Sequence, residues 1–127
     1  KIAAQFSETN AMHDITEGGL ATALEELSTA GGHRIRIDFE KIPVFPETRK
    51  ICRLLNIDPL GLIGSGSLLI CSQKNAYQNV IAAIRDAGVE VACIGEVIEE
   101  GQGIEAMKQG KRVDWPNFEV DEITKLF

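Results

Sequence analysis

The residues best suited to chemistry lie in one short segment, Met12-His13-Asp14-Ile15-Thr16-Glu17-Gly18-Gly19-Leu20. Gly18 and Gly19 stand where a helical pattern begins, although each glycine costs a helix about 1 kcal/mol relative to alanine. Bare backbone N–H groups at a helix start, at the positive end of the helix dipole, suit a phosphate or a developing anion. Alternatively, the glycines only permit tight packing against a neighbouring strand, and the residue types alone leave both interpretations open.

The polar residues around the two glycines complete this candidate site. Asp14 or Thr16 could cap the helix, because short side-chain oxygens accept hydrogen bonds from its first N–H groups. We define the glycine loop as residues 14–19 and predict that Asp14, Thr16, Glu17, Gly18 and Gly19 bind a phosphate or substrate.

The two histidines carry a weaker signal. His13 beside Asp14 could form a base–carboxylate pair, and its intrinsic pKa suits proton transfer. Adjacent residues on an extended segment point apart, however, so no catalytic residue is firm and His13 is only a candidate. His33, next to Gly32, is typical of a solvated turn, and there is no third histidine to build a metal site.

Periodicity predicts the elements that hold this segment. Leu20 to Leu27 has apolar residues at helical spacing, and Gly31-Gly32 ends the helix. Residues 34–39 alternate as a half-buried strand does, and residues 67–71 form an apolar run typical of a strand buried on both faces. A helix at 74–87 and a strand at 89–94 would complete a strand–helix–strand crossover.

Shorter elements are predicted in the rest of the chain. They are a linker or short helix at 1–13, a helix at about 47–55 with Ile51, Leu54 and Leu55 inward, a hairpin from 104–107 to 112–115 through Gln109-Gly110, a core position for Trp115, and a last helical turn at 121–127 capped by Asp121. We therefore predict one α/β (α+β) domain over residues 1–127, with a mixed β-sheet and packed helices.

Composition excludes several classes of protein. The formal charge is −6 and the basic residues are scattered, whereas nucleic-acid binders usually present a basic stripe. No apolar run approaches the roughly 20 residues of a membrane span, and no signal peptide is visible. Cys52, Cys71 and Cys93 lack the spacing of a zinc site or disulfide framework, so Cys71 and Cys93 are predicted to be small core residues of a cytoplasmic protein.

The segment Asp14–Glu26 resembles the loop that opens the C-terminal domain in the aminoimidazole ribonucleotide (AIR) synthetase superfamily. Two further blocks are similar to the corresponding stretches of that group: Leu54–Leu60 followed by Gly66–Ile70, and Ile94–Val97. The first of these most resembles the hydrogenase maturation factor HypE. The resemblance covers roughly residues 12–98. It implies a fold like that of the AIR synthetase C-terminal domain.

The resemblance also implies function and partners. Members bind ATP largely through an N-terminal domain, are usually dimers, and phosphorylate a carbonyl-type oxygen or transfer the phosphoryl group elsewhere. We therefore expect a missing N-terminal ATP-binding domain, ATP and Mg²⁺ held by the full-length protein and not by this chain alone, a homodimer, and a small-molecule or protein-borne substrate. The absence of an initiator Met before Lys1 agrees with a fragment that is inactive alone.

The sequence departs from HypE in two places. Glu17 stands where HypE tends to have Arg, and the chain ends in Thr124-Lys125-Leu126-Phe127, whereas HypE ends in a tail with a terminal Cys. Either a tail was removed or this is a HypE-like paralogue, which we favour. The alternatives are a non-catalytic regulatory or binding module and a purine-biosynthesis domain like formylglycinamide ribonucleotide amidotransferase.

Overall fold

The computed structural model describes every residue from Lys1 to Phe127. The helices and strands, in chain order, are β1 (Thr9–Asp14), α1 (Gly19–Gly31), β2 (His33–Asp38), α2 (Pro46–Leu55), β3 (Leu68–Ser72), α3 (Tyr77–Asp86), β4 (Gly95–Glu100), β5 (Ile104–Lys108) and β6 (Lys111–Val113). Short 3-10 segments lie at Ala3–Gln5, Phe39–Lys41, Pro59–Gly61 and Glu122–Leu126. No helix is long and apolar enough to cross a membrane.

Four strands form a mixed sheet in the order β4-β2-β5-β6. The central pair, β2 and β5, is parallel, whereas β4 and β6 pair antiparallel with their neighbours. The predicted hairpin between β5 and β6 is confirmed. Gln109 and Gly110 at its turn both have positive φ (50° and 73°), which is the backbone that a two-residue hairpin turn needs. The predicted class, an α+β fold with a mixed sheet, is confirmed.

The other two strands, β1 and β3, form a separate antiparallel sheet. The prediction of a linker or short helix over residues 1–13 is therefore wrong for residues 9–13, which belong to β1. The prediction that β3 is buried on both faces is also wrong for Leu68, which is 52% exposed, whereas Leu69 is buried. Leu69 packs in the main core and Ile70, on the opposite face, packs against α3, so the exposed part of β3 is its first residue.

The predicted strand–helix–strand crossover is not observed. Residues 89–94 do not form a strand, and β4, which begins at Gly95, joins the four-stranded sheet instead of pairing with β3. The apolar residues of this connection serve two different cores: Val91 packs with Val80 and Ile84 of α3, whereas Ile94 packs on the main core. The alternation of apolar and polar residues at 89–94 therefore arises because these side chains pack into two different cores, and not because the segment is a strand.

The main core lies between α1 and the four-stranded sheet. Its buried members are Ala21, Ala23, Leu24, Ile35, Ile37, Ile42, Leu60 and Leu69. Trp115 packs at its edge, with its ring centroid 5.4 Å from that of Phe39 and its Nε1–H donating to the carbonyl of Ala21 at 3.3 Å. Its predicted core position is confirmed, and the α1 helix predicted from periodicity is confirmed as well.

Helix α2 faces the opposite way from the prediction. Ile51, Leu54 and Leu55 are 54%, 75% and 46% exposed, and the residue that α2 buries is Cys52. Helical periodicity shows that these side chains share one side of the helix, but it does not say which side has a neighbour.

The other two cysteines differ from each other. Cys93 is exposed, so its predicted core position is wrong, whereas Cys71 is half-buried and its burial raises the pKa of its thiol. Cys93 lies in the connection that was predicted to be a strand, and it belongs to neither core.

Candidate functional site

The glycine loop connects the end of β1 to the start of α1. Asp14, the last residue of β1, pairs with Leu68, and Ile15 donates its N–H to the carbonyl of Ser67 at 3.3 Å. Beyond this contact the sheet ladder ends. The loop is therefore held at one side by the small sheet and at the other by α1.

Gly18 and Gly19 adopt a conformation that other residues avoid. Their φ angles are 77° and 64°, both in the left-handed region. A Cβ atom on Gly18 would overlap the Oγ1 of Thr22 and would lie 2.8 Å from the Thr22 Cβ. Glycine is required at position 18 both by the backbone angle and by the closeness of the first turn of α1.

Gly19 is also a packing glycine. A Cβ atom there would overlap the carbonyl oxygen of Leu60 and would lie 2.7 Å from the oxygen and 2.8 Å from the nitrogen of Leu62. Since backbone atoms cannot rotate away, any side chain would push α1 from this segment. The tight-packing interpretation therefore holds for Gly19, although the contacting segment is a 3-10 turn and its exit and not a strand.

The predicted side-chain cap by Asp14 or Thr16 is wrong. The N-cap residue of α1 is Gly18, which has no side chain, and both predicted cap residues are exposed. Thr16 contributes its backbone instead, since its carbonyl accepts the N–H of Gly19 at 3.0 Å. The carboxylate that serves the helix start is Asp121, whose Oδ2 accepts the N–H of Gly18 at 3.0 Å.

Asp121 belongs to the C-terminal segment, defined here as residues 114–127. Its other oxygen, Oδ1, accepts the N–H of Ile123 at 2.9 Å, so its predicted role as cap of the last turn is confirmed. Its contact with Gly18, 103 residues away, was missed. The sequence contained a signal for the local cap only, because one acidic residue before a turn says nothing about a distant partner.

Glu122 fixes the C-terminal segment at a second point. This residue is 3% exposed, accepts the N–H of Asp58 at 2.8 Å and pairs with the Nζ of Lys125 at 2.6 Å. The hydrogen bond from Lys125, followed by the backbone bond from Asp58, lowers the pKa of the Glu122 carboxyl. Residues 58–62 contact Glu122 through the N–H of Asp58 and contact Gly19 through Leu60 and Leu62. The same turn therefore supports both the C-terminal segment and the glycine loop.

Two backbone donors remain at the helix start. The N–H groups of Leu20 and Ala21 have no acceptor within the chain, whereas the N–H of Gly18 is taken by Asp121 and that of Gly19 by Thr16. Ala21 is 1% exposed whereas Leu20 is half-buried, so the N–H that is open to an anion at the positive end of the helix dipole is that of Leu20. The side chains of Thr16 and Glu17 are exposed beside it.

His13 contacts α1 and not the carboxylate of Asp14. Its Nε2 lies 3.2 Å from Glu26 Oε2, and its Nδ1 lies 2.6 Å from the backbone oxygen of Asp14. Both ring nitrogens of His13 are therefore engaged by hydrogen-bond acceptors, one on α1 and one on its own neighbour. Nowhere in the chain are three His, Cys, Asp or Glu residues grouped so that they could hold a metal ion.

The chain matches one family of known proteins over most of its length. Residues 1–108 match the family described as AIR synthase related protein, C-terminal domain. The match covers most of the chain, including both glycines of the loop. The chain belongs to this family.

Individual proteins are similar over most of the chain. The carbamoyl dehydratase HypE of Cupriavidus necator is 40% identical over 111 residues, which are 82% of this chain and 31% of that protein. The crystal structure of E. coli HypE, a hydrogenase maturation protein, superposes with a TM-score of 0.81 at 32% identity, covering 93% of this chain and 39% of that one. The structure of AaThiL complexed with AMPPCP and TMP has a TM-score of 0.58 at 28% identity, covering 88% and 35%. The chain spans about a third of the length of the curated relatives it matches.

Proposed function

We propose that this chain is the C-terminal domain of an ATP-dependent enzyme related to HypE, and that its glycine loop faces a phosphate or a phosphorylated intermediate. The observation that carries the proposal is the start of α1, where the N–H group of the half-buried Leu20 lacks an acceptor in the chain. Membership of the family and the similarity to a carbamoyl dehydratase support it. The AaThiL complex with AMPPCP, a non-hydrolysable ATP analogue, supports a nucleotide-dependent reaction.

The reaction that the name carbamoyl dehydratase describes needs a better leaving group than an amide oxygen. ATP supplies one when the carbonyl oxygen attacks the γ-phosphorus, so that ADP leaves and a C–O–P linkage forms. The C–O bond then breaks with its electrons going to phosphate, and the amide nitrogen loses its two protons as a nitrile forms. The donor at the start of α1 would stabilise the charge on the phosphoryl oxygens during both steps.

The residues present fit a phosphate group better than a metal ion. Backbone N–H groups are suitable donors to phosphoryl oxygens. The carboxylates of this chain are not grouped for a metal. We therefore assign Mg²⁺ and most nucleotide contacts to an N-terminal domain of the longer protein, which would act in the cytoplasm as a homodimer.

The test is ATP turnover by the full-length protein with Mg²⁺ and a panel of amide, carbamoyl and phosphate acceptors. Gly18→Ala should reduce kcat at least about 100-fold, because it displaces the helix-start donor, which can be worth that factor. Gly32→Ala is the matched control, since Gly32 has a similar φ of 65°, caps the other end of α1 and has open space around it. Turnover that responds equally to both variants would refute a role for the loop, and circular dichroism must show that both are folded.

The alternative of a non-catalytic binding module has one observation in its favour. The carboxylate of Asp121 already occupies the N–H of Gly18, so part of the helix start is served by the chain itself. A folded full-length protein that binds AMPPCP but hydrolyses no ATP with any acceptor would establish this alternative. Stimulation by a formylglycinamide-type acceptor alone would instead establish a purine-biosynthesis enzyme.

A further inference from the structure

The C-terminal segment holds the first turn of α1 from two sides. Trp115 Nε1–H donates to the carbonyl of Ala21 at 3.3 Å, and Asp121 Oδ2 accepts the N–H of Gly18 at 3.0 Å. These contacts join residues 94 and 103 positions apart in the sequence. The start of α1 is therefore fixed by a part of the chain that lies beyond the residues matched by the family, 1–108.

Asp121 is held in place by contacts outside the glycine loop. Its own Oδ1 accepts the N–H of Ile123, and the neighbouring Glu122 accepts the N–H of Asp58 at 2.8 Å. Gly61 is so close to the C-terminal segment that a Cβ atom there would lie 2.6 Å from the ring of Phe118. With 7% of its surface exposed, Asp121 has little freedom to turn to water.

The position of Gly18 depends on the hydrogen bond to Asp121 more than the position of Gly19 does. Gly19 is fixed by packing against the backbone of Leu62, whereas Gly18 has no side chain and the greatest backbone freedom of any residue type. Its N–H bond to Asp121 is the one hydrogen bond that its amide makes. A carboxylate at this place also interacts favourably with the positive end of α1.

We propose that Asp121 is a positioning residue: its carboxylate holds the peptide of Gly18 so that the free N–H group of Leu20 stays aligned toward the phosphate. This inference rests on the proposed function of the loop. It adds a specific residue, outside the family's matched range, on which the geometry of the loop depends.

The experiment compares Asp121→Asn and Asp121→Ala with Asp38→Ala in the full-length protein. Asp38→Ala is the matched control because Asp38 also caps a 3-10 turn, by accepting the N–H of Glu40 at 3.2 Å, and its partners Glu40 and Lys41 lie outside both the glycine loop and the C-terminal segment. Hydrogen exchange of the Gly18 amide should become about 10-fold faster or more in Asp121→Ala, since a hydrogen bond to a charged group is lost. Asparagine has one acceptor oxygen for the two N–H groups of Gly18 and Ile123. The exchange rate of the Gly18 amide in Asp121→Asn should therefore lie between those of the wild type and Asp121→Ala.

Kinetics separate this inference from the proposed function. We expect both Asp121 variants to lower kcat with a smaller change in KM for ATP, and Asp38→Ala to leave kcat near the wild-type value. Unchanged exchange at Gly18, or an equal effect of Asp38→Ala, would overturn the inference. If Gly18→Ala abolishes turnover while Asp121→Ala does not change it, the inference fails and the proposed function stands. If neither variant alters turnover, both fail.

Discussion

The backbone of Gly19 lies directly against the backbone of Leu62. The two are so close that a Cβ atom on Gly19 would stand 2.7 Å from the Leu62 oxygen, a distance that real Cβ atoms do not show. This contact determines how closely α1 approaches the turn at Pro59–Gly61. Because Glu122 bonds to Asp58 at the start of that turn, the contact also connects the glycine loop to the C-terminal segment. The same contact explains why position 19 is a glycine, and this explanation requires no bound ligand.

The first prediction follows from this contact. Gly19→Ala should lower the free energy of unfolding by about 3 kcal/mol, the sum of left-handed strain and overpacking against backbone that cannot move. Gly32→Ala, at a similar φ of 65° but with open space around it, should lose only the strain, about 1 kcal/mol. Urea denaturation measures both. Equal losses would show that the close approach to Leu62 does not matter.

A second pair of glycines should change stability in opposite directions. Gly95 in β4 lies so close to β2 that a Cβ atom would overlap the carbonyl oxygen of Arg36, so Gly95→Ala should cost about 2 kcal/mol. Gly31, in the last turn of α1, has open space, and Gly31→Ala should gain about 0.5 kcal/mol through helix propensity. Thermal unfolding of the two variants tests this, and destabilisation by Gly31→Ala would contradict it.

The third prediction concerns pH. Glu105 in β5 is 7% exposed, and its hydrogen bond from Arg36, together with the charge of Arg112, lowers the pKa of its carboxyl. A lowered pKa in the folded state means that this carboxylate stabilises the protein fully above its unfolded pKa of about 4.3, and that the contribution is lost as the pH falls through the folded value.

Glu105→Gln should therefore be less stable than the wild type at pH 7, and the difference between the two urea midpoints should shrink below about pH 4. Glu100→Gln is the control, since Glu100 is exposed at the end of β4. A difference between wild type and Glu105→Gln that stays constant from pH 7 to pH 3 would refute the assignment.

The fourth prediction tests the outward orientation of α2. Leu54 is 75% exposed, so Leu54→Ser should change the free energy of unfolding of this chain by less than about 0.5 kcal/mol. Leu24, fully buried in α1, provides the contrast, and Leu24→Ala should cost about 2–5 kcal/mol. Both values come from urea denaturation. A large loss for Leu54→Ser would mean that α2 packs inward, as periodicity predicted.

The sequence alone determined the features that depend on near neighbours. The helix of α1 followed from apolar spacing and a glycine end, the hairpin of β5 and β6 from Gln109-Gly110, and the cap by Asp121 from one acidic residue before a turn. The similarity to a known family likewise followed from short blocks of residues. The helix, the hairpin turn and the cap each depend on contacts within a few positions of the chain, which a pattern can record.

Only the tertiary structure decided what lies opposite each side chain. It separated β3 and β4 into two sheets, turned the apolar stripe of α2 outward, and gave the cap of α1 to Asp121 and not to Asp14 or Thr16. Periodicity records that residues share a face, but burial and hydrogen bonding depend on partners brought together by the whole fold. A carboxylate 103 residues away leaves no pattern near Gly18, because its position is set by the packing of every element between them.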